Sequence, residues 1–137
     1  MHSPRLVRSA MILSLLFGAL EARAQDVFVG AWNIHFTPDA ASTQNGAKSF
    51  RDAALFHNNE LSSEAFAMYG FHTVPYTVPT DAPSTFTASM SSSSQGTLQW
   101  TGRRDGARIV GTLEWVKPNG VVYKYTLSGE RLPEDDS

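Results

Sequence analysis

No cysteine occurs in the 137 residues of this sequence. Its absence excludes disulfides, thiol nucleophiles, iron–sulfur clusters, cysteine-type zinc sites and an acylated lipoprotein cysteine. Long apolar runs are also missing, since the longest, residues 10–20, has eleven residues and a helix needs roughly 20 to cross a bilayer. The hydrophobic core alone must therefore stabilise the fold.

The first 24 residues have the pattern of a secretory signal peptide. Arg5 and Arg8 form a basic n-region, residues 10–20 an apolar h-region, and Ala22-Arg23-Ala24 a small-x-small cleavage site. We expect cleavage after Ala24 and a secreted or periplasmic mature protein. A membrane anchor is the alternative for this stretch, but its apolar part is too short to span a bilayer.

Acidic residues outnumber basic ones in the predicted mature chain. Eight Lys and Arg remain when three of the eleven are removed with the signal peptide, against twelve Asp and Glu when Glu21 is removed from thirteen, a formal charge of −4. This charge argues against binding nucleic acid or an anionic membrane surface. Removing 24 of 137 residues leaves 113, enough for one domain over residues 25–131. We expect the acidic tail, residues 132–137, to be disordered.

A strand repeat dominates the second half of the chain. Gly96-Thr97-Leu98-Gln99-Trp100 returns fifteen residues later as Gly111-Thr112-Leu113-Glu114-Trp115. Apolar residues two apart indicate a β-strand, because successive side chains leave a strand on opposite faces. The predicted inner face of the strands that follow residue 84 comprises Phe86, Ala88, Met90, Leu98, Trp100, Ile109, Gly111, Leu113, Trp115, Tyr123, Tyr125 and Leu127.

Turn residues set a predicted register for these strands. Residues 103–106 read as a four-residue turn ending in glycine, which places Trp100 opposite Ile109. The Pro-Asn-Gly turn that follows predicts a three-residue hairpin loop, which places Trp115 opposite Tyr123. A slip of one residue would expose the aromatic side chains at roughly 2 kcal/mol each.

The first half of the mature chain is less regular. Residues 27–36 alternate as a strand with Trp32 on its inner face, and residues 37–49 form a loop without a period. Residues 50–56 predict a second strand. Its orientation stays open because Asp52 makes either choice of inner face imperfect.

One short helix and a proline-rich crossover precede the repeated strands. Residues 63–69 have helical spacing, with Ser62 as the predicted N-cap and Gly70 as the predicted stop. Prolines at positions 75, 79 and 83 indicate a crossover that cannot be a central strand, because proline lacks the ladder donor. The sequence therefore predicts an all-β fold, an antiparallel up-and-down β-barrel of seven to eight strands with one short helix. A flattened two-sheet sandwich is the alternative.

Gly30-Ala31-Trp32 resembles the Gly-x-Trp motif that opens the first strand of lipocalins and of the wider calycin superfamily. The resemblance implies that Trp32 packs across the barrel base beside an arginine from the last strand, the place of Arg131. It covers the two ends of the mature chain. The chain is short for a lipocalin and lacks a Thr-Asp-Tyr after a middle strand. Its length is closer to the avidin branch, although no biotin-site motif is present.

The inner aromatic residues are the main candidate site. Eight-stranded barrels either fill their interior with side chains or leave room for one small ligand. The predicted ligand-binding residues are Trp32, Tyr69, Phe71, Trp100, Trp115, Tyr123 and Tyr125, with Tyr69 and Phe71 as lid or mouth residues. In a chain of this size the same rings serve equally well as an ordinary core.

The histidines do not form a recognisable reaction centre. His35, His57 and His72 fall on a predicted outer strand face, a turn and the crossover, so we predict no metal site and no cofactor. His57, Asp52 and Ser62 have the residue types for hydrolysis, but no nucleophile-elbow glycines surround a serine. We therefore predict no catalytic residues.

The sequence favours an exported, non-catalytic, lipocalin-like domain that binds a small, mostly apolar ligand in the barrel interior. The alternative is a secreted or envelope protein-interaction module, such as an inhibitor, whose barrel core is filled. An open or filled interior distinguishes the two hypotheses.

Overall fold

The computed structural model describes residues 26–133, which form a closed antiparallel β-barrel. Its strands are β1 Gly30–Pro38, β2 Phe50–His57, β3 Glu60–Ser63, β4 Val74–Thr77, β5 Thr85–Ser92, β6 Gly96–Asp105, β7 Arg108–Val116 and β8 Val122–Arg131. Each strand pairs with its neighbours in sequence, and β8 pairs with β1. The predicted up-and-down barrel is confirmed. The predicted signal peptide and residues 134–137 of the predicted tail lie outside the described residues.

Two short helices, α1 Ala40–Gln44 and α2 Glu64–Ala67, follow β1 and β3. Because the strands alternate in direction, both helices lie at the same end as the β5–β6 and β7–β8 loops. We call this end the mouth and the opposite end, where β1 begins and β8 ends, the base. Neither helix within residues 26–133 has the length and hydropathy that a membrane span requires.

The predicted inner face of β5 to β8 is confirmed. Ten of its twelve residues are buried, and Gly111 and Tyr123 are half-buried. The register of β7 against β8 is as predicted, but Trp100 lies opposite Leu113 rather than Ile109. The two strands continue through the predicted turn and reverse at a two-residue turn that begins with Gly106, at φ 62°. This shift is four residues, an even number, so every side chain stays on its predicted face.

The orientation of β2 depends on a buried acid. Asp52, Ala54 and Phe56 face the interior, while Arg51 and Leu55 face outward. Burying a carboxylate is unfavourable unless hydrogen bonds satisfy it. Asp52 has such partners, described below, and this is why a polar residue occupies an inner position of the strand.

Strand β4 corrects the prediction that the proline-rich crossover contains no central strand. Val74 and Pro75 pair with β3, whereas Tyr76 and Thr77 pair with β5. Pro75 is thus paired on one side of the strand, and its missing N–H does not interrupt a long ladder. The crossover prediction was wrong because β4 needs only four residues to close the barrel.

The predicted loop at residues 37–49 contains helix α1. Asp39 is its N-cap, and its carboxylate accepts the N–H of Ser42 (2.8 Å). Ser42 in turn accepts the N–H of Lys124 in β8 (2.7 Å) through its hydroxyl. These bonds fasten the segment to the rim of the barrel, so it is ordered although it has no apolar period.

Candidate functional site

The seven aromatic residues predicted to bind a ligand lie at three levels of the barrel. Tyr69, Phe71, Trp115 and Tyr123 lie at the mouth, Trp100 and Tyr125 in the middle, and Trp32 at the base. Trp115 joins the mouth group, because its ring centre lies 5.4 Å from Tyr69, 5.9 Å from Phe71 and 6.2 Å from Tyr123. The mouth therefore gathers a compact subset of the predicted residues, and Trp32 is at the other end.

Phe66 of α2 fills the space between the mouth and the middle of the barrel. Its ring centre lies 5.3 Å from Trp115, 6.2 Å from Trp100 and 5.5 Å from Phe50, each nearly perpendicular. The side chain is 1% exposed. Sequence reasoning missed the central position of Phe66, because the way a one-turn helix docks is not encoded in its period. The upper interior is filled by the chain's own rings.

A buried hydrogen-bond network holds α2 in place. The Asp52 carboxylate accepts the hydroxyl of Ser63 (2.6 Å) and the N–H of Ala65 (2.8 Å). The Ser63 hydroxyl oxygen accepts the N–H of Phe66 (3.0 Å), so Ser63 and not Ser62 is the N-cap. Burial raises the pKa of Asp52, and its hydrogen bonds oppose that shift only in part. This network determines where Phe66 inserts.

Lys117 stands over two aromatic rings at the mouth. Its Nζ is 3.8 Å from the ring centre of Trp115 and 4.6 Å from that of Tyr123. The Trp115 indole N–H donates to the backbone oxygen of Gln95 (2.7 Å), and the Tyr123 hydroxyl donates to the backbone oxygen of Asn45 (2.8 Å). Both rings are therefore held rigidly against the neighbouring loops. Sequence reasoning missed Lys117, since cation–π contacts leave no periodic signal.

A depression of about 420 Å³ opens beside these rings. It is lined by Asn45, Gln95, Lys117, Pro118, Asn119, Val121 and Tyr123. Tyr69, which contacts Trp115 nearby, is 48% exposed, and its neighbour Met68 is 85% exposed. The mouth thus combines ring faces with amide groups and one ammonium, an arrangement suited to a ligand with an apolar body and a polar end.

Trp100, in the middle of the barrel, has an unsatisfied polar atom. Its ring lies 5.6 Å from Phe36 and 6.2 Å from Phe66. Among the described residues, its Nε1 is a buried side-chain nitrogen without a hydrogen-bond acceptor. Buried indole N–H groups usually find a partner, so this one is a point where an internal acceptor would be stabilised.

The base is closed around Trp32 in the manner that the calycin resemblance implies. Trp32 is fully buried, and its indole N–H donates to the backbone oxygen of Phe28 (2.8 Å). The guanidinium carbons of Arg131 and Arg104 lie 5.1 and 5.4 Å from the ring centre of Trp32. Both arginines also donate to the backbone oxygen of Val27. Trp32 is therefore a structural element of the base, where cation–π contacts stabilise its packing.

The three histidines of the described residues lie far apart along the fold. His35, His57 and His72 are all exposed, on β1, at the end of β2 and before β4. Within residues 26–133, no three His, Asp or Glu side chains converge as metal ligands would. Asp52, the acid that sequence reasoning considered beside His57, is instead hydrogen-bonded to Ser63 and Ala65.

Comparison with known proteins identified no relative of this chain. No family model matches the sequence, and neither the curated proteins nor the solved structures yielded a significant match. The barrel fold by itself is compatible with a lipocalin-like binding domain.

Proposed function

We propose that this chain is an exported, non-catalytic binding domain that holds a small, mostly apolar ligand at the mouth of its barrel. The observation that carries the proposal is the convergence of the Tyr69, Trp115 and Tyr123 rings beside a depression of about 420 Å³. Rings held on a rigid rim supply apolar contact area at a low cost in conformational entropy.

The ligand position differs from the barrel interior that the sequence favours. Phe66 occupies the upper interior, and a ligand there would have to break its contacts with Trp115, Trp100 and Phe50. A ligand at the mouth lies above Phe66 and leaves these contacts in place. One observation favours the interior, namely the unpartnered indole N–H of Trp100, and the experiment must therefore separate the two positions.

Tryptophan fluorescence provides that experiment. Fluorescent fatty acids, retinoids and flavins are titrated into the protein, and saturable quenching of tryptophan is measured. We expect Tyr69→Ala to weaken binding about tenfold, because it removes a half-exposed ring from the site. Phe66→Leu, which loosens the interior, should leave the affinity unchanged.

The opposite pattern would move the ligand inside the barrel. Tighter binding by Phe66→Leu, with no effect of Tyr69→Ala, would place the ligand at the level of Trp100. The absence of saturable quenching with every probe would refute ligand binding at either level. Met68→Ala is the matched control, since Met68 is 85% exposed and adjacent to Tyr69.

A protein-interaction module, such as an exported inhibitor, is the second candidate. It is favoured by the exposure of Met68 and Tyr69 next to each other at the mouth, because methionine and tyrosine are enriched in interfaces. It also agrees with a filled interior. Its test is capture from a cell-envelope extract, where a partner should bind the wild-type protein and be lost from a Met68→Asp, Tyr69→Asp double variant. Equal capture by both proteins would contradict it.

A further inference from the structure

Lys117 supplies a positive charge to the depression at the mouth. Within residues 26–133, no Asp or Glu oxygen lies within 4 Å of its Nζ. Burial lowers the pKa of this ammonium, because the faces of Trp115 and Tyr123 replace part of its water. A partly desolvated charge without a counter-ion gains more from an arriving anion than an ordinary surface lysine does.

Several hydrogen-bond acceptors around Lys117 are already occupied by donors of the protein itself. Three nearby oxygens already accept hydrogen bonds, since the backbone oxygen of Gln95 accepts from Trp115, that of Asn45 from Tyr123, and the side-chain oxygen of Asn119 from the N–H of Val121. Because its oxygen is occupied, the Asn119 amide keeps its NH₂ as a free donor beside the Lys117 ammonium, whereas the side-chain amides of Asn45 and Gln95 can donate or accept. The depression therefore offers one positive charge and one amide donor, and no negatively charged side chain of the described residues lines it.

The charge of Lys117 and the free NH₂ of Asn119 together select the polar end of a ligand. We propose that the mouth depression binds the carboxylate of a small ligand whose apolar body lies against Tyr123, Pro118 and Val121 and extends toward the half-exposed ring of Tyr69. The carboxylate oxygens accept hydrogen bonds from the Lys117 ammonium and from the side-chain NH₂ of Asn119. This inference rests on the proposed function and adds the charge and the orientation of the ligand.

Other polar ends are a poorer match to the same groups. A cationic ligand would meet Lys117 at close range, and none of the residues that line the depression is Asp or Glu. A neutral amide keeps a hydrogen bond but loses the ionic part, and charge-assisted bonds are roughly twice as strong as neutral ones. The volume of about 420 Å³ suits a ligand of one ring or a short chain, at the lower end of the usual range for pockets.

Phenylacetate and its neutral isostere phenylacetamide test the proposal directly. Each is titrated into the purified protein, and tryptophan fluorescence and calorimetry report the affinity. We expect phenylacetate to bind at least about tenfold more tightly than phenylacetamide, and benzylamine to bind more weakly than either.

Three variants identify the group responsible. Lys117→Met should remove the difference between phenylacetate and phenylacetamide, and Lys117→Arg should retain it. Lys124→Met is the matched control, because Lys124 follows Tyr123 on the exposed outer face of β8 and its loss changes the net charge equally. It should leave both affinities unchanged.

Every other outcome of these titrations contradicts the carboxylate site or both proposals. Equal affinity for phenylacetate and phenylacetamide, or a difference that persists in Lys117→Met, overturns the carboxylate site. If neither compound binds while larger lipophilic probes still quench tryptophan, the carboxylate site is wrong and the proposed function stands. If none of these ligands binds, both proposals fail together.

Discussion

Replacing Phe66 by alanine should cost about 3–5 kcal/mol of unfolding free energy, the usual range for a fully buried phenylalanine. The structure supports the upper part of that range. Phe66 is 1% exposed and makes ring contacts with Trp115, Trp100 and Phe50, and aromatic pairs contribute about 0.5–1.5 kcal/mol each beyond area burial. The rigid barrel wall also limits how far the cavity can collapse.

Urea unfolding followed by tryptophan fluorescence and circular dichroism measures this loss. With a slope of about 1–3 kcal/mol per molar urea, the midpoint should fall by at least about 1 M. Met68→Ala, two residues away and 85% exposed, should change the unfolding free energy by less than about 0.5 kcal/mol. A loss below about 1 kcal/mol in Phe66→Ala would show that Phe66 is not packed in the barrel, and the account of a filled interior would be wrong.

Three other substitutions test separate parts of the structure. Burial raises the pKa of Asp52 in the folded state, so the folded protein binds more protons than the unfolded one above about pH 4, and stability should fall as pH rises from there through the folded pKa. Asp52→Asn should flatten this pH dependence in urea midpoints measured across that window. An unchanged slope would contradict the prediction. Gly111→Ala should destabilise the barrel by about 1–3 kcal/mol, since the new Cβ would lie 2.6 Å from the Cα of Gly102. An unchanged midpoint of thermal unfolding would disprove this loss of stability. Arg131→Met should lower the melting temperature and expose Trp32 to iodide quenching, because it removes one of the guanidinium groups over that ring. Iodide quenching equal to that of the wild type would refute a role for Arg131 in closing the base.

The barrel could be predicted because alternation survives errors of register. Trp100 pairs with Leu113 rather than Ile109, yet both alternatives put the same rings inside, since the strand period is two. The exact pairing depends on the reversal at Gly106, where either a four-residue or a two-residue turn satisfies the local sequence. The side of the sheet on which a residue lies depends on one strand alone, whereas the pairing register depends on two strands and the turn between them.

The position of α2 could not be predicted because it depends on a distant residue. Asp52 precedes Ser63 by eleven positions, and their hydrogen bond orders the start of the helix that carries Phe66. In the sequence, Asp52 only disturbs the pattern of its own strand. An acid at an inner strand position, followed by a serine that begins a helix, is the signal that sequence reasoning lacked.

The cations at the two ends of the barrel are held differently, and this difference supports the proposed ligand site at the mouth. At the base, Trp32 is fully buried beneath the guanidinium of Arg131. At the mouth the cation is Lys117, on a flexible stem over Trp115, and the adjacent Tyr69 is half-exposed. An arginine that also donates to the backbone resists displacement, whereas a lysine held by ring faces can turn toward an anion with little loss. Cation–π contacts therefore close the base, while at the mouth they leave Lys117 able to take the role that the proposed function gives it.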